Sequence, residues 1–129
     1  EAKLLRTNKE LNISVLKIKN PTLLYPANVL NELNYEIGTE VYYASTNDGS
    51  INGLFLNEGI VSGVRKIHDT PLIQADVSTN NFEYGGFLLD KNGAFLGVIN
   101  SKIVDKTVEG ISFFIPANHI FKRLNINIK

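Results

Sequence analysis

Four residues, Asp90-Lys91-Asn92-Gly93, set between Phe87-Leu88-Leu89 and Ala94-Phe95-Leu96-Gly97-Val98-Ile99, constrain this chain more than any other stretch. An Asn-Gly step tolerates the positive φ of a tight reversal, so the flanking apolar runs read as the two strands of a hairpin. Similar signals recur. Val41-Tyr42-Tyr43-Ala44 is β-branched and aromatic and runs toward the turn-forming Thr46-Asn47-Asp48-Gly49. Leu54 to Val64 and Leu72 to Val77 predict two further strands, and Ile13, Val15 and Ile18, broken by Leu16, approximate the period-two row of a strand with one buried face. Helical signals are confined to the end, where Asn118 after Pro116 is placed to cap a short helix. That helix would carry Ile120, Phe121 and Leu124 on one side, with Lys122 and Arg123 complementing the dipole at its C-terminus. Short strands plus one terminal helix predict an all-β closed barrel or sandwich. A helical bundle is excluded.

At 129 residues, with 43% hydrophobic content and no Gly/Ser/Pro-rich linker or repeat, the chain reads as one cooperative unit. Thirteen Lys+Arg balance thirteen Asp+Glu, so the basic surplus that binding to nucleic-acid phosphates demands is absent. No nucleic-acid partner is expected. The absence of Cys removes disulfides, thiolate zinc sites and cysteine nucleophiles, yet leaves the compartment open. His68 and His119 lack carboxylates at ligand spacing, so both read as surface or turn residues and neither metal nor cofactor is expected. No run approaches ~20 consecutive apolar residues, so no membrane insertion by this segment is expected. The cluster Lys122, Arg123 and Lys129 is too small to argue for membrane binding. Glu1 to Lys9 is charged rather than apolar and no Met stands first, which suggests a piece of a longer precursor.

An ordered set of short motifs runs through the chain. Ala2-Lys3-Leu4-Leu5-Arg6-Thr7-Asn8-Lys9-Glu10-Leu11-Asn12-Ile13-Ser14-Val15-Leu16-Lys17-Ile18 resembles the last strands of the first barrel in HtrA-type (DegP-like) trypsin-fold serine proteases, where the pattern is A-K-x-x-x-T-D-x-x-x-D-x-A-x-L-K. The likeness continues through Ile37-Gly38-Thr39-Glu40-Val41, Glu58-Gly59-Ile60-Val61-Ser62 (x-G-I-V-S) and Gln74-Ala75-Asp76 (Q-T-D). Asn80-Asn81-Phe82-Glu83-Tyr84-Gly85-Gly86-Phe87-Leu88-Leu89 stands where the family has N-P-G-N-S-G-G-P-L-L. Gly97-Val98-Ile99-Asn100 and Gly110-Ile111-Ser112-Phe113-Phe114-Ile115-Pro116-Ala117-Asn118 complete the set, the latter close to G-I-G-F-A-I-P-S-N. No single motif is specific; the order is.

The resemblance also marks where the chain departs. The triad Asp falls on Asn12, the nucleophilic Ser on Tyr84 and the oxyanion-hole Gly on Phe82, while the catalytic His would lie upstream of Glu1. An amide cannot hold the imidazole tautomer or stabilise the imidazolium, a change that in chymotrypsin-like proteases costs roughly 10⁴-fold in kcat. A phenol with an ordinary pKa of about 10 is bulkier than a serine hydroxyl and mostly un-ionised at neutral pH. A Cβ at position 82 restricts the positive φ available to glycine. The surviving Gly85-Gly86 pair reads as close backbone packing, and Asp76 as a loop brace.

The resemblance therefore implies a trypsin-like six-stranded β-barrel with a short C-terminal helix over residues 21–129, and over residues 1–20 a trailing hairpin of a first barrel. It implies a catalytically inactive pseudoprotease that binds or scaffolds protein or peptide, in the bacterial periplasm or cell envelope. Candidate peptide contacts are Asn100, Ser101 and Lys102, where substrate pairs as a strand, together with Tyr84 and Phe82. Expected partners are a protein or peptide, the missing N-terminal half of the same precursor, and a homo-oligomer. The alternatives are a serine endopeptidase-like enzyme with a rebuilt or in-trans completed site, and a purely structural oligomerisation domain.

Overall fold

A run whose alternate residues are apolar must hide one side, and from Glu40 onward six such runs hide theirs against each other. The computed structural model describes residues 1–19, 22, 24–30, 32, 35–46, 54–79, 85–99 and 110–128. Two strands come first, β1 (Ala2–Asn8) and β2 (Ile13–Ile18), paired as a separate two-stranded sheet. Then follow β3 (Glu40–Thr46), β4 (Leu54–Ile67), β5 (Thr70–Ala75), β6 (Phe87–Asp90), β7 (Phe95–Ile99), β8 (Ser112–Pro116) and the helix α1 (Ala117–Arg123). The six later strands form a closed barrel in the order β3-β4-β5-β8-β7-β6, with β6 returning to pair with β3. Closure pairs the two end strands of the order, β3 and β6, so neither is a terminal edge.

The pleat sorts the side chains into two cores. Val41, Tyr43, Val61, Ile73, Ala75, Leu88, Leu96 and Phe114 point inward with Val77 and have no exposed surface, and the Tyr43 and Phe114 rings meet at 5.6 Å and 57°. Each such side chain contributes roughly 1.5–3 kcal/mol by leaving water. The residues between them point outward. On the β5, β8 and β7 side Leu72, Ile115 and Val98 meet Ile120 and Leu124 of the helix segment, and Leu11 from the turn of the first hairpin completes this second core. Ile13 and Val15 of β2 pack against the same cluster, so one end of the hairpin is seated on the barrel wall.

The all-β barrel with its terminal helix and N-terminal hairpin agrees with the sequence reading, but several local details differ. The first barrel strand begins at Glu40, and among the described residues between the hairpin and β3, Val29 makes an isolated parallel bridge to Phe95. The strand expected to end at Val64 runs to Ile67 and reverses through His68 and Asp69, at φ 46° and 66°. That turn carries no glycine, which hid it. Asn118 is not the helix cap: Pro116 occupies that position with an extended backbone, and Asn118 Oδ1 instead accepts the His119 amide from within the first turn at 2.9 Å. At the 90–93 reversal only Gly93 takes a positive φ, 79°, and Asp90 does the rest, its Oδ1 accepting the amides of Asn92 (2.8 Å) and Ala94 (2.9 Å).

Candidate functional site

The wall of the candidate site is built where the end of β5 meets β4. Asp76 follows directly after β5, and its Oδ1 accepts the Ile60 amide of β4 at 2.6 Å while its own amide donates to the Ile60 carbonyl at 3.1 Å. The carboxylate occupies the space beside Gly59, where a Cβ would stand 2.7 Å from Asp76 Oδ1 and 2.7 Å from Val77 Cγ1. Asp76 is thus the loop brace expected of it. Asn57 Nδ2 holds the following segment by donating to the Ser78 carbonyl at 2.7 Å.

The two glycines of the Gly85-Gly86 pair do different things. Gly85 takes φ 78° with open space around it, whereas a Cβ on Gly86 would lie 2.1 Å from the Tyr43 hydroxyl oxygen. Only at Gly86 does close packing explain the glycine, and at Gly85 conformation does. The Gly86 carbonyl then accepts the Ile99 amide at 2.8 Å and ties the loop to β7.

Two hydroxyls went unnoticed in the sequence. Thr79 Oγ1 and Ser112 Oγ lie 2.9 Å apart, and Ser112 Oγ also donates to the Val77 carbonyl at 3.3 Å. Neither bonds a histidine or a carboxylate among the described residues, so neither is activated as a nucleophile there. A signal existed: Ser112 interrupts Gly110-Ile111-Ser112-Phe113 where the resembling motif has glycine. Ser112 is buried, and its bond to the half-buried Thr79 anchors β8 to the segment after β5.

Asn12, at the expected triad Asp position, closes the β1–β2 turn at φ 54°, exposed, with its amide donating to the Lys9 carbonyl at 3.3 Å. Its neighbour Leu11 is buried under Ile120 and Leu124, and Glu10 pairs with Arg123. His119 stands beside this junction with its pKa lowered, first by burial, then by the Arg123 and Lys122 charges, against a smaller opposing pull from Glu10. His68 is exposed in its turn. Among the described residues no three His, Asp or Glu side chains come together as a metal-holding group. No helix there is long and apolar enough to cross a membrane. Phe82, Tyr84, Asn100, Ser101 and Lys102 lie outside the described residues.

A closed six-stranded barrel, an Asp braced against a Gly, and a second Gly packed on a core tyrosine define a pattern that can be compared with known proteins. Residues 1–98 match the trypsin-like peptidase domain family. The chain belongs to the HtrA-like trypsin-fold family. Serine protease Do-like HtrA of Bacillus subtilis is 29% identical over 128 residues, covering 92% of this chain and 28% of that protein. Serine protease Do-like HtrA of Lactobacillus helveticus is 25% identical over 138 residues, covering 99% of this chain and 33% of that protein. The crystal structure of Deg5 superposes with a TM-score of 0.73 at 25% identity, over 94% of this chain and 57% of the other. This HtrA-like chain therefore spans about a third or less of the length of these curated relatives.

Proposed function

We propose that this HtrA-like domain is a catalytically inactive pseudoprotease that binds protein or peptide segments. The observation that carries the reading is Asn12. A backbone at φ 54° accepts Asp about as readily as Asn, so conformation does not demand the loss of the carboxylate. An uncharged amide at that position removes the orienting and charge-stabilising role a triad Asp plays toward an imidazole. Tyr84 in place of the nucleophile and Phe82 in place of the oxyanion glycine point the same way. Peptide capture would run along Asn100, Ser101 and Lys102, by main-chain pairing that does not require a working triad.

The β1–β2 hairpin is read as the trailing hairpin of a preceding barrel. Two-stranded sheets are marginal alone, and this one exposes Leu4, Leu16 and Ile18 on one face and sets Lys3 directly opposite Lys17 on the other. Those features suit a hairpin with further strands beside it, supplied by the N-terminal half of the same precursor. By the same family likeness the setting is the bacterial periplasm or cell envelope.

A fluorophosphonate probe together with casein digestion tests the inactive reading. No labelling and no cleavage are expected, and none from Tyr84→Ser combined with Asn12→Asp. Labelling or cleavage that Tyr84→Phe abolishes would establish an enzyme with a rebuilt site instead. Unstructured peptides titrated against labelled protein should shift the signals of Asn100 to Lys102, and the absence of shifts at millimolar peptide sinks the binding role.

A further inference from the structure

The barrel has two outer walls of unequal fate. The β5-β8-β7 wall is covered by α1 and by Leu11 of the hairpin turn, as its apolar residues require. The β6-β3-β4 wall is also apolar in part, and among the described residues no element packs across it. Register defines its surface. Phe87, Ala44 and Leu56 stand side by side on β6, β3 and β4; Leu89, Tyr42 and Glu58 form the next row; Glu40 and Ile60 form the third. Apart from Ala44, which is buried, these side chains reach the surface, while the residues alternating with them, Leu88, Tyr43, Val41 and Val61, fill the barrel core.

This wall is apolar where a free surface would be polar. Leu56 is 58% exposed, Ile60 44% and Phe87 36%, two large side chains on β4 and one across β3 on β6. Interleaved with them are the carboxylates of Glu40 and Glu58, with Asp76 at the margin beside Ile60. No cation among the described residues pairs with any of the three: the ion pairs there join Lys19 to Glu1, Lys66 to Asp69 and Arg123 to Glu10. Tyr42 lies between the acids and donates to Glu40 Oε1 at 2.6 Å, and its hydroxyl pKa is raised by that bond and charge and further by Glu58. A groove runs along one side, lined by Tyr42, Leu56, Asn57, Glu58, Asp76 and Ser78.

We propose that the outer face of β3 and β4 is a docking surface for a partner polypeptide that presents Lys or Arg alternating with aliphatic residues. Charge complementarity selects the cations, and exposed Leu56 and Ile60 select the aliphatic residues. Residues two apart on an extended segment share one side, at ~6.6–7 Å, a spacing commensurate with the alternation of acid and apolar positions along β4. β3 is hydrogen-bonded on both sides from Val41 to Ala44, and β4 at 56–60 is paired with β3, with Ile60 further tied to Asp76, so the proposed contact is made by side chains on the face rather than by strand addition. This surface does not depend on whether the domain is an inactive protease. Its competing occupant is a second copy of the chain, whose hairpin carries Lys3, Arg6 and Lys17 beside Leu4 and Leu16.

The test titrates acetyl-(Leu-Ser-Lys-Ser)₂-amide, a Lys-Leu peptide in which the two residues alternate on one side, into the full chain, with the Glu-Leu peptide acetyl-(Leu-Ser-Glu-Ser)₂-amide and acetyl-(Ser-Ser-Lys-Ser)₂-amide as controls, followed by amide NMR and calorimetry. Only the Lys-Leu peptide should bind, shifting residues 40–44 and 56–60, and its affinity should fall with added salt. Glu40→Gln with Glu58→Gln should weaken it by about tenfold, the worth of two exposed ion pairs. Leu56→Ser with Ile60→Ser should weaken it at least as much. Both variants are surface changes, and unchanged melting confirms the fold. Equal binding of the Glu-Leu peptide, binding by both variants as by the parent, or no binding at all overturns the proposal. So does self-association of the free chain that Leu56→Ser with Ile60→Ser abolishes, which assigns the face to a second copy.

Discussion

The carboxylate of Asp76 lies against Gly59 and accepts the amide of Ile60, so two motif residues seventeen positions apart form one joint between β4 and the end of β5. Gly59→Ala forces a methyl group to within 2.7 Å of Asp76 Oδ1 and of Val77, and should cost about 1–3 kcal/mol. Asp76→Ala, which leaves the Ile60 amide without this acceptor, should cost about 1 kcal/mol. Because both act on the same joint, urea unfolding of the double variant should show less than the sum of the two losses. Full additivity would mean that the contact is not shared.

Leu11 holds the hairpin to the barrel. Leu11→Ala removes a fully buried side chain from between Leu72, Ile115, Ile120 and Leu124, and should cost about 2–5 kcal/mol. Leu4→Ala or Leu16→Ala, at exposed positions of the same hairpin, should change stability by less than about 0.5 kcal/mol in this chain. Chemical denaturation of the three variants checks the ranking.

The β4–β5 reversal is a stabilisation target. His68 and Asp69 both occupy positive φ, a turn that Asn-Gly fits with less strain. Replacing the pair by His68→Asn and Asp69→Gly should raise stability by about 0.5–1 kcal/mol and leave the fold unchanged. A lower melting temperature would show that the two native side chains make a contribution beyond backbone geometry.

His119 adds a pH dependence of definite sign. Its pKa is lowered in the fold from an ordinary 6.5, so the unfolded chain takes up the proton first and protonation favours unfolding. The contribution is complete above about 6.5 and is lost as pH falls through the lower folded value. Melting temperatures at pH 7.5 and pH 5 should therefore differ more for the parent chain than for His119→Gln.

Strand identity was legible wherever a strand ended in a turn of its own chemistry. Phe87 to Ile99 is the clearest case, since Asp90 and Gly93 together write the reversal into the sequence. The β4–β5 turn was not, because His68 and Asp69 adopt left-handed backbone that their residue types do not advertise. The helix was found but its cap was misassigned: Pro116 presets the entry with a fixed φ near −60°, which makes a side-chain cap from Asn118 unnecessary. At the candidate site, motif order located Asp76, Gly86 and Asn12, whereas the Thr79–Ser112 bond joins residues distant in sequence and neither residue type signals its partner. Leu11 was likewise invisible, as its burial depends on where the helix returns.

Closure of the barrel has a kinetic consequence. Val41 pairs with Asp90 and Ala44 with Phe87, so the seam joins segments more than forty residues apart, with two complete strands threaded between them. During synthesis β3 emerges with one edge unfilled and waits for β6, and in refolding the same pairing carries the loop-closure entropy of that whole interval. The seam is thus expected to be the slow step, and the interval before it closes is when this chain is most exposed to association with its neighbours.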